Sequence, residues 1–188
     1  MHDDVKALVS GDWYRDTPEL RRLRDRCATA VDEFNALPAA DHAGRLAILR
    51  VLFAVCGDGI EVVPRLRVSY GFNTRLGSGV YLNANAFLMD DGPITLGDHV
   101  RIGPSAVLAT ALHPIEDHAL RRDGAERTAP ITIGDNCWLG SSVTVGAGVT
   151  IGRNTVVGAG SVVVRDLPDH VVAVGTPAVP IRSLPVEE

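Results

Sequence analysis

Isoleucine, leucine or valine recurs at every sixth position from Ile133 to Val163: Ile133, Leu139, Val145, Ile151, Val157 and Val163. Glycine follows directly at Gly134, Gly140, Gly146, Gly152 and Gly158. The same step runs through Leu96, Ile102 and Leu108, and through Leu76, Leu82 and Leu88. A period of six belongs to neither an α-helix nor an ordinary amphipathic strand. It marks a repeat, and a repeat constrains the architecture before any other signal does.

Period two alone would bury three positions in every six. Here one large aliphatic dominates each hexad, often with a smaller residue four places later (Ala106, Val143, Val149, Ser161). That pattern suits a short strand followed by a corner, with the aliphatic pointing inward and the smaller residue filling the bend. Glycine after the aliphatic relieves crowding or permits positive φ, and pairs such as Asp135-Asn136 tolerate left-handed turns. Three such strands make a triangular coil, and stacked coils pair as parallel strands about 4.8 Å apart. The expected fold is mainly β, a parallel β-helix. An ordinary sheet of short strands does not explain six in-phase aliphatics in one run.

The repeat is interrupted twice. The phase slips by two between Leu88 and Leu96, around Asp90-Asp91-Gly92-Pro93, and a longer break spans about 109–130. Insertions into solenoids form loops on one face, often the binding face. Ahead of the coils the chain reads as helical. Thr17 is an N-cap with Pro18 and Glu19 behind it, and Leu20, Leu23, Cys27, Val31 and Phe34 make the buried stripe of a helix ended by Leu37-Pro38. A second helix follows Asp41, with Leu46, Leu49, Leu52 and Phe53 inward, and Gly57 ends it. The expected organisation is an N-terminal helical segment over 1–58, the β-helix over 59–174 and a C-terminal cap over 175–188. The cap covers strand edges that would otherwise stay open.

Composition narrows the function. The 188 residues carry a net charge of −5, and no basic stripe runs through the repeats, which argues against nucleic acid. Arg21, Arg22, Arg24 and Arg26 read as a solvated helix face. Cys27, Cys56 and Cys137 are odd in number, lack CxxC spacing and read as buried small hydrophobes in a reducing compartment. No signal peptide or membrane span is evident, so a soluble, cytoplasmic protein is expected.

Reactive groups belong in the breaks, because the coils are built from small and aliphatic residues. His113, held extended by Pro114, is a candidate general base, or simply a surface histidine. His99, His113 and His118 are either a zinc set with one open position or three exposed imidazoles. Asn83, Asn85, Asp90 and Asp91 are either turn residues or hydrogen-bonding groups for a polyhydroxylated ligand. Trp138 stands among small residues and is expected on the outer face, against a neighbouring subunit or a ligand.

Several stretches together resemble one family. They are Gly11-Asp12-Trp13-Tyr14 with Asp16, Ser69-Tyr70-Gly71-Phe72-Asn73, Asn83-Ala84-Asn85, His113-Pro114, Ile131 to Gly140, and Val174-Gly175-Thr176-Pro177-Ala178 with Ile181-Arg182. They are similar to the left-handed β-helix acyltransferases, specifically the maltose, galactoside and nodulation-type sugar O-acetyltransferases. The resemblance implies left-handed coils, an exception to the usual right-handed crossover. It implies acetyl-CoA as donor, a sugar-like acceptor, no metal requirement, and a homotrimer with sites between subunits. It implies His113 as catalytic base, with Asp16, Ser69, Asn83 and Asp91 at the acceptor. Ser141, Ala159, Arg165 and Arg182 then stand at acetyl-CoA, and the Ser141 N–H is the expected oxyanion donor.

The chain departs from the family pattern at Phe72, Val164 and Val179, and Glu126 receives no role. Two competing classes use the same fold: a zinc lyase of the carbonic-anhydrase type, and a non-catalytic scaffold.

Overall fold

The structure is a computed structural model that describes residues 3–186. Among these residues four helices precede or interrupt the coils: α1 (Asp3–Ser10), α2 (Pro18–Ala36), α3 (His42–Leu52) and α4 (His118–Arg122). Thr17 caps α2, its side chain accepting from the Leu20 N–H at 3.2 Å, and Asp41 caps α3 through the Gly44 N–H at 2.9 Å. Phe53, not Gly57, terminates α3. The chain has turned extended before it reaches that glycine, because Val55–Cys56 already pairs with Arg75 and Leu76. The first coil therefore starts ahead of residue 59. Helix α1 lies within the N-terminal helical segment, ahead of the stripe that begins after Thr17.

Parallel strands stack into the three faces of a solenoid of about six turns, as the hexads require. The first face carries Val55–Cys56, Thr74–Leu76, Ile94–Leu96, Ile131–Ile133 and Thr150–Ile151. The second carries Glu61–Val62, Tyr81–Leu82, Arg101–Ile102, Trp138–Leu139, Val156–Val157, Val171–Gly175 and Ala178–Ser183. The third carries Arg67–Val68, Phe87–Met89, Val107–Ala109, Thr144–Val145 and Val162–Val163. The hexad aliphatics fall in register one above another: Leu76, Leu96, Ile133 and Ile151 form one ladder, and Leu82, Ile102, Leu139 and Val157 another. All eight are buried, as are the corner residues Ala106, Val143, Val149 and Ser161.

Phe34, Leu49 and Phe53 join the same core, so α2 and α3 plug the open first coil. At the far end Ala178–Ser183 folds back antiparallel on Val171–Gly175 and covers the last strand of the second face.

Gly134, which follows a hexad aliphatic, is required by space and not by a positive φ. A Cβ on Gly134 would lie 2.7 Å from the Arg153 amide nitrogen of the next coil, inside van der Waals contact. The left-handed turns come two residues later, at His99, Asn136 and Asn154 on one edge and Asn85, Ser105 and Ser142 on another.

Candidate active site

Register locates every interruption on one edge. Within the regular run Thr144 pairs with Val162, three hexads on. In the early coils Arg67 pairs with Phe87 and Phe87 with Val107, two residues more. The extra residues sit after third-face strands, at 90–93 and also at 69–73. The sequence had hidden this second slip, because no hexad run precedes Leu76. The long break, 110–130, leaves from the same edge.

Hydrogen bonds tie the two slips together. Asp90 is fully buried and accepts from the Tyr70 N–H at 2.7 Å and the Thr74 hydroxyl at 2.9 Å. The Asn73 amide donates to the Asp90 and Asp91 carbonyls at 3.0 and 2.8 Å. Asp90 is thus a strut. Burial pushes its carboxyl up to about 6 despite those donors.

His113 follows Ala111–Leu112, which pairs antiparallel with Arg127–Thr128, so the break is organised as a small hairpin with α4 at its tip. Pro114 is buried and fixes the turn, while the imidazole is exposed. The His113 Nδ1 lies 3.0 Å from the Ala125 carbonyl oxygen. A carbonyl can only accept, so Nδ1 carries the proton in this contact and Nε2 keeps its lone pair. That is the tautomer a general base needs. An open cleft of about 420 Å³ adjoins the ring, lined by Trp13, Leu112, Pro114, Ile115 and Arg127 among others. A larger cavity of about 470 Å³ between α2 and α3 contains no histidine.

Asp91 is 7% exposed, yet its Oδ2 has no partner among the described residues. Burial raises its carboxyl pKa; a hydrogen bond from the Ser69 side chain works the other way, and nearby Glu126 adds to the rise. A buried, unsatisfied carboxylate oxygen is costly, and a ligand hydroxyl is a suitable donor for it. Asp16 comes to this side on the N-terminal arm. Burial works against its carboxylate, but hydrogen bonds from Arg21 and Arg24 outweigh burial and hold its pKa below the usual value. Arg24 also donates to the Tyr70 hydroxyl at 2.6 Å. The arginine cluster is therefore a solvated face only in part: Arg21 and Arg24 are committed to Asp16.

The remaining expected residues stand elsewhere in the chain. Asn83 follows a second-face strand, and its Oδ1 accepts from the Ala84 N–H at 2.8 Å. Register stacks Ala84, Pro104, Ser141 and Ala159 on that same edge, where Ser141 and Ala159 are exposed. Arg182 lies beside Val172 on the second face, and Arg165 on the His113 edge. The third face therefore lies between the edge of Asn83 and Ser141 and the edge from which the break carrying His113 leaves. His99 turns on the third edge, between the first and second faces, and His118 opens α4. Among the described residues no three His, Cys, Asp or Glu side chains converge as a metal site. Cys27 and Cys137 are buried and Cys56 is half-buried, with burial raising all three thiols. Among the described residues no helix is long and apolar enough to cross a membrane.

The sequence assigns no role to Tyr14, to Glu126 or to the Ala125 carbonyl. Residues 121–128 carry no hexad, and a backbone carbonyl leaves no trace in residue type.

Residues 130–165 match the family described as bacterial transferase hexapeptide (six repeats), and residues 8–57 match the maltose acetyltransferase hexapeptide capping motif. The galactoside O-acetyltransferase of Escherichia coli is 40% identical over 181 residues, 96% of this chain and 89% of that protein. A crystal structure of a maltose O-acetyltransferase from Clostridium difficile superposes with a TM-score of 0.95 at 36% identity, covering 97% of this chain and 98% of that one. A hexapeptide-repeat acetyltransferase from Vibrio cholerae, complexed with acetyl coenzyme A, superposes at 0.90 and 36% identity over 99% and 100% of the two chains.

Proposed function

The chain belongs to the maltose and galactoside O-acetyltransferases of the hexapeptide-repeat family, and we propose that it carries an acetyl group from acetyl-CoA to a hydroxyl of a sugar-like acceptor with His113 as general base. The observation that carries the assignment of His113 is the Nδ1 contact with the Ala125 carbonyl, which reserves Nε2 for the acceptor proton.

A hydroxyl is a weak nucleophile at neutral pH. His113 Nε2 accepts its proton as the oxygen attacks, a contribution of about 10²–10⁴-fold. The acceptor oxygen bonds to the acetyl carbon, the carbon–sulfur bond breaks, and the proton passes from His113 to the departing sulfur. Acetyl-CoA supplies the activated acyl group. The unpartnered Asp91 Oδ2, with Ser69 beside it, orients the acceptor through a second hydroxyl, and Asn83 and Asp16 complete that side. The Ser141 N–H is the donor for negative charge developing on the carbonyl oxygen. Exposed Ser141 and Ala159, stacked with small neighbours, leave room for an extended donor along their edge, with Arg182 beyond it.

Two edges of one chain hold these groups, and this supports a homotrimer in which the His113 edge of one subunit meets the Asn83 and Ser141 edge of the next. Trp138, 56% exposed on the second face between Arg101 and Val156, and exposed Val179 and Ile181 fit such a contact.

The test is thiol release from acetyl-CoA against a panel of sugars and polyols, followed by mapping of the acetylated hydroxyl. His113→Ala lowers kcat by about 10²–10⁴-fold with acetyl-CoA affinity unchanged. Full turnover in that variant overturns the assignment of the base. The absence of an O-acetylated product in the wild type overturns the function.

A further inference from the structure

The N-terminal arm is more than a plug for the first coil. Residues 8–14 run along the hairpin that carries His113 and touch it at consecutive positions. The Thr128 hydroxyl donates to the Leu8 carbonyl. The Arg127 guanidinium lies over the Trp13 ring, 4.8 Å from its centroid. Tyr14 and Glu126 form an antiparallel bridge, with the Tyr14 N–H donating to the Glu126 carbonyl at 2.8 Å and the Glu126 N–H to the Tyr14 carbonyl at 3.0 Å. The Tyr14 hydroxyl adds a third bond, to Glu126 Oε2 at 3.1 Å. Tyr14 thus bridges the edge of the hairpin, one residue from the Ala125 carbonyl that holds His113 Nδ1.

The arm is itself anchored. Leu8, Tyr14, Leu20 and Tyr70 form a small buried cluster separate from the solenoid core. Tyr70 is fixed in turn by Asp90 and by Arg24. The arm therefore spans from the slip at 69–73 to the long break.

We propose that Tyr14 is a positioning residue for His113, acting through Glu126 and the Ala125 carbonyl to fix the imidazole in its Nδ1–H tautomer. Tyr14 reaches no reacting atom. Its hydroxyl and its strand pairing set the height of residues 125 and 126, and that height sets whether the Ala125 oxygen meets Nδ1. A loop left free to shift by about 1 Å costs up to about 10²-fold in rate. This inference deepens the function proposed above and rests on His113 being the base; its structural half stands without it.

The experiment pairs kinetics with histidine ¹⁵N NMR on the full chain, for wild type, Tyr14→Phe, Tyr14→Ala and Glu126→Gln. Wild type shows His113 as the Nδ1–H tautomer. Tyr14→Ala, which loses both the ring anchor and the hydroxyl, gives mixed tautomers at His113. Its kcat falls about tenfold to a hundredfold, with the acetyl-CoA KM unchanged. Tyr14→Phe keeps the bridge and the ring, and loses only a few-fold. Glu126→Gln keeps an acceptor for the phenol, and His113 stays in the Nδ1–H tautomer as in the wild type. Should Tyr14→Ala fail to fold, Tyr14→Phe carries the tautomer measurement alone, and a shift toward mixed tautomers supports the proposal. A Tyr14 variant that folds, melts lower and still shows a pure Nδ1–H tautomer with wild-type kcat overturns it, since a merely structural role does that. Failure of the wild type to acetylate any sugar sinks the function but leaves the tautomer result to decide the positioning role.

Discussion

Asp90 and Asp91 are neighbours in sequence and opposite in use. Asp90 spends both oxygens on Tyr70 and Thr74, while Asp91 keeps Oδ2 free. The raised Asp90 pKa has a consequence for stability. The carboxyl titrates near 3.8 when unfolded and at about 6 when folded. The folded state binds the proton more tightly, so this group's contribution is full below about pH 4 and is lost as pH rises through about 6. Two units correspond to about 3 kcal/mol. Asp90→Asn, which can still accept from Tyr70, should remove that dependence. Urea unfolding at pH 4 and pH 7 checks it: wild type loses the larger share of its stability over that interval, and equal losses in both proteins refute the assignment. At this scale the sequence was informative about residue type and silent about division of labour. Asn83, Asp91 and His113 stood out as polar residues among small and apolar neighbours. Nothing in Asp90-Asp91 said which would face inward, because that depends on a one-residue choice of strand phase.

At the level of elements, the hexad strand with its following glycine is the unit that builds the solenoid. Gly134 and Gly146 occupy equivalent places in the repeat but meet different neighbours. A Cβ at 134 would sit 2.7 Å from backbone, whereas at 146 the nearest atom is 3.5 Å away. Gly134→Ala is therefore expected to destabilise by about 1–3 kcal/mol, the range for overpacking. Gly146→Ala is expected to be neutral or to stabilise by a few tenths of a kcal/mol through the unfolded chain. Thermal melts of the two variants compare them directly; equal melting temperatures would show that coils separate easily and that glycine is not needed for their spacing. Helices α2 and α3 were legible because capping and the 3.6-residue stripe are local signals. The hairpin in the long break was not, since Ala111–Leu112 and Arg127–Thr128 are two-residue strands whose pairing depends on contacts distant in sequence.

For the whole molecule, the decisive fact is that the proposed site residues divide between two edges. If neighbouring subunits complete the site, His113→Ala and Asn83→Ala chains are complementary. Co-refolded in equal amounts, they should recover up to about a quarter of wild-type activity, because random mixing places an intact His113 edge against an intact Asn83 edge in about one contact in four. Each variant alone stays inactive. Mixtures no better than the separate variants, with trimers verified by sedimentation, would place the whole site within one chain.

By itself the sequence determined the solenoid, its core ladder and the helical N-terminal segment. These follow from periodicity and local propensity, which are written along the chain. Only the tertiary structure decided that 69–73, 90–93 and 110–130 share one edge. The same holds for the role of Asp90 as a buried strut beside Asp91, and for the Ala125 carbonyl that meets His113 Nδ1. Those outcomes depend on register between coils and on backbone atoms common to every residue, and neither is encoded in the identity of any single side chain.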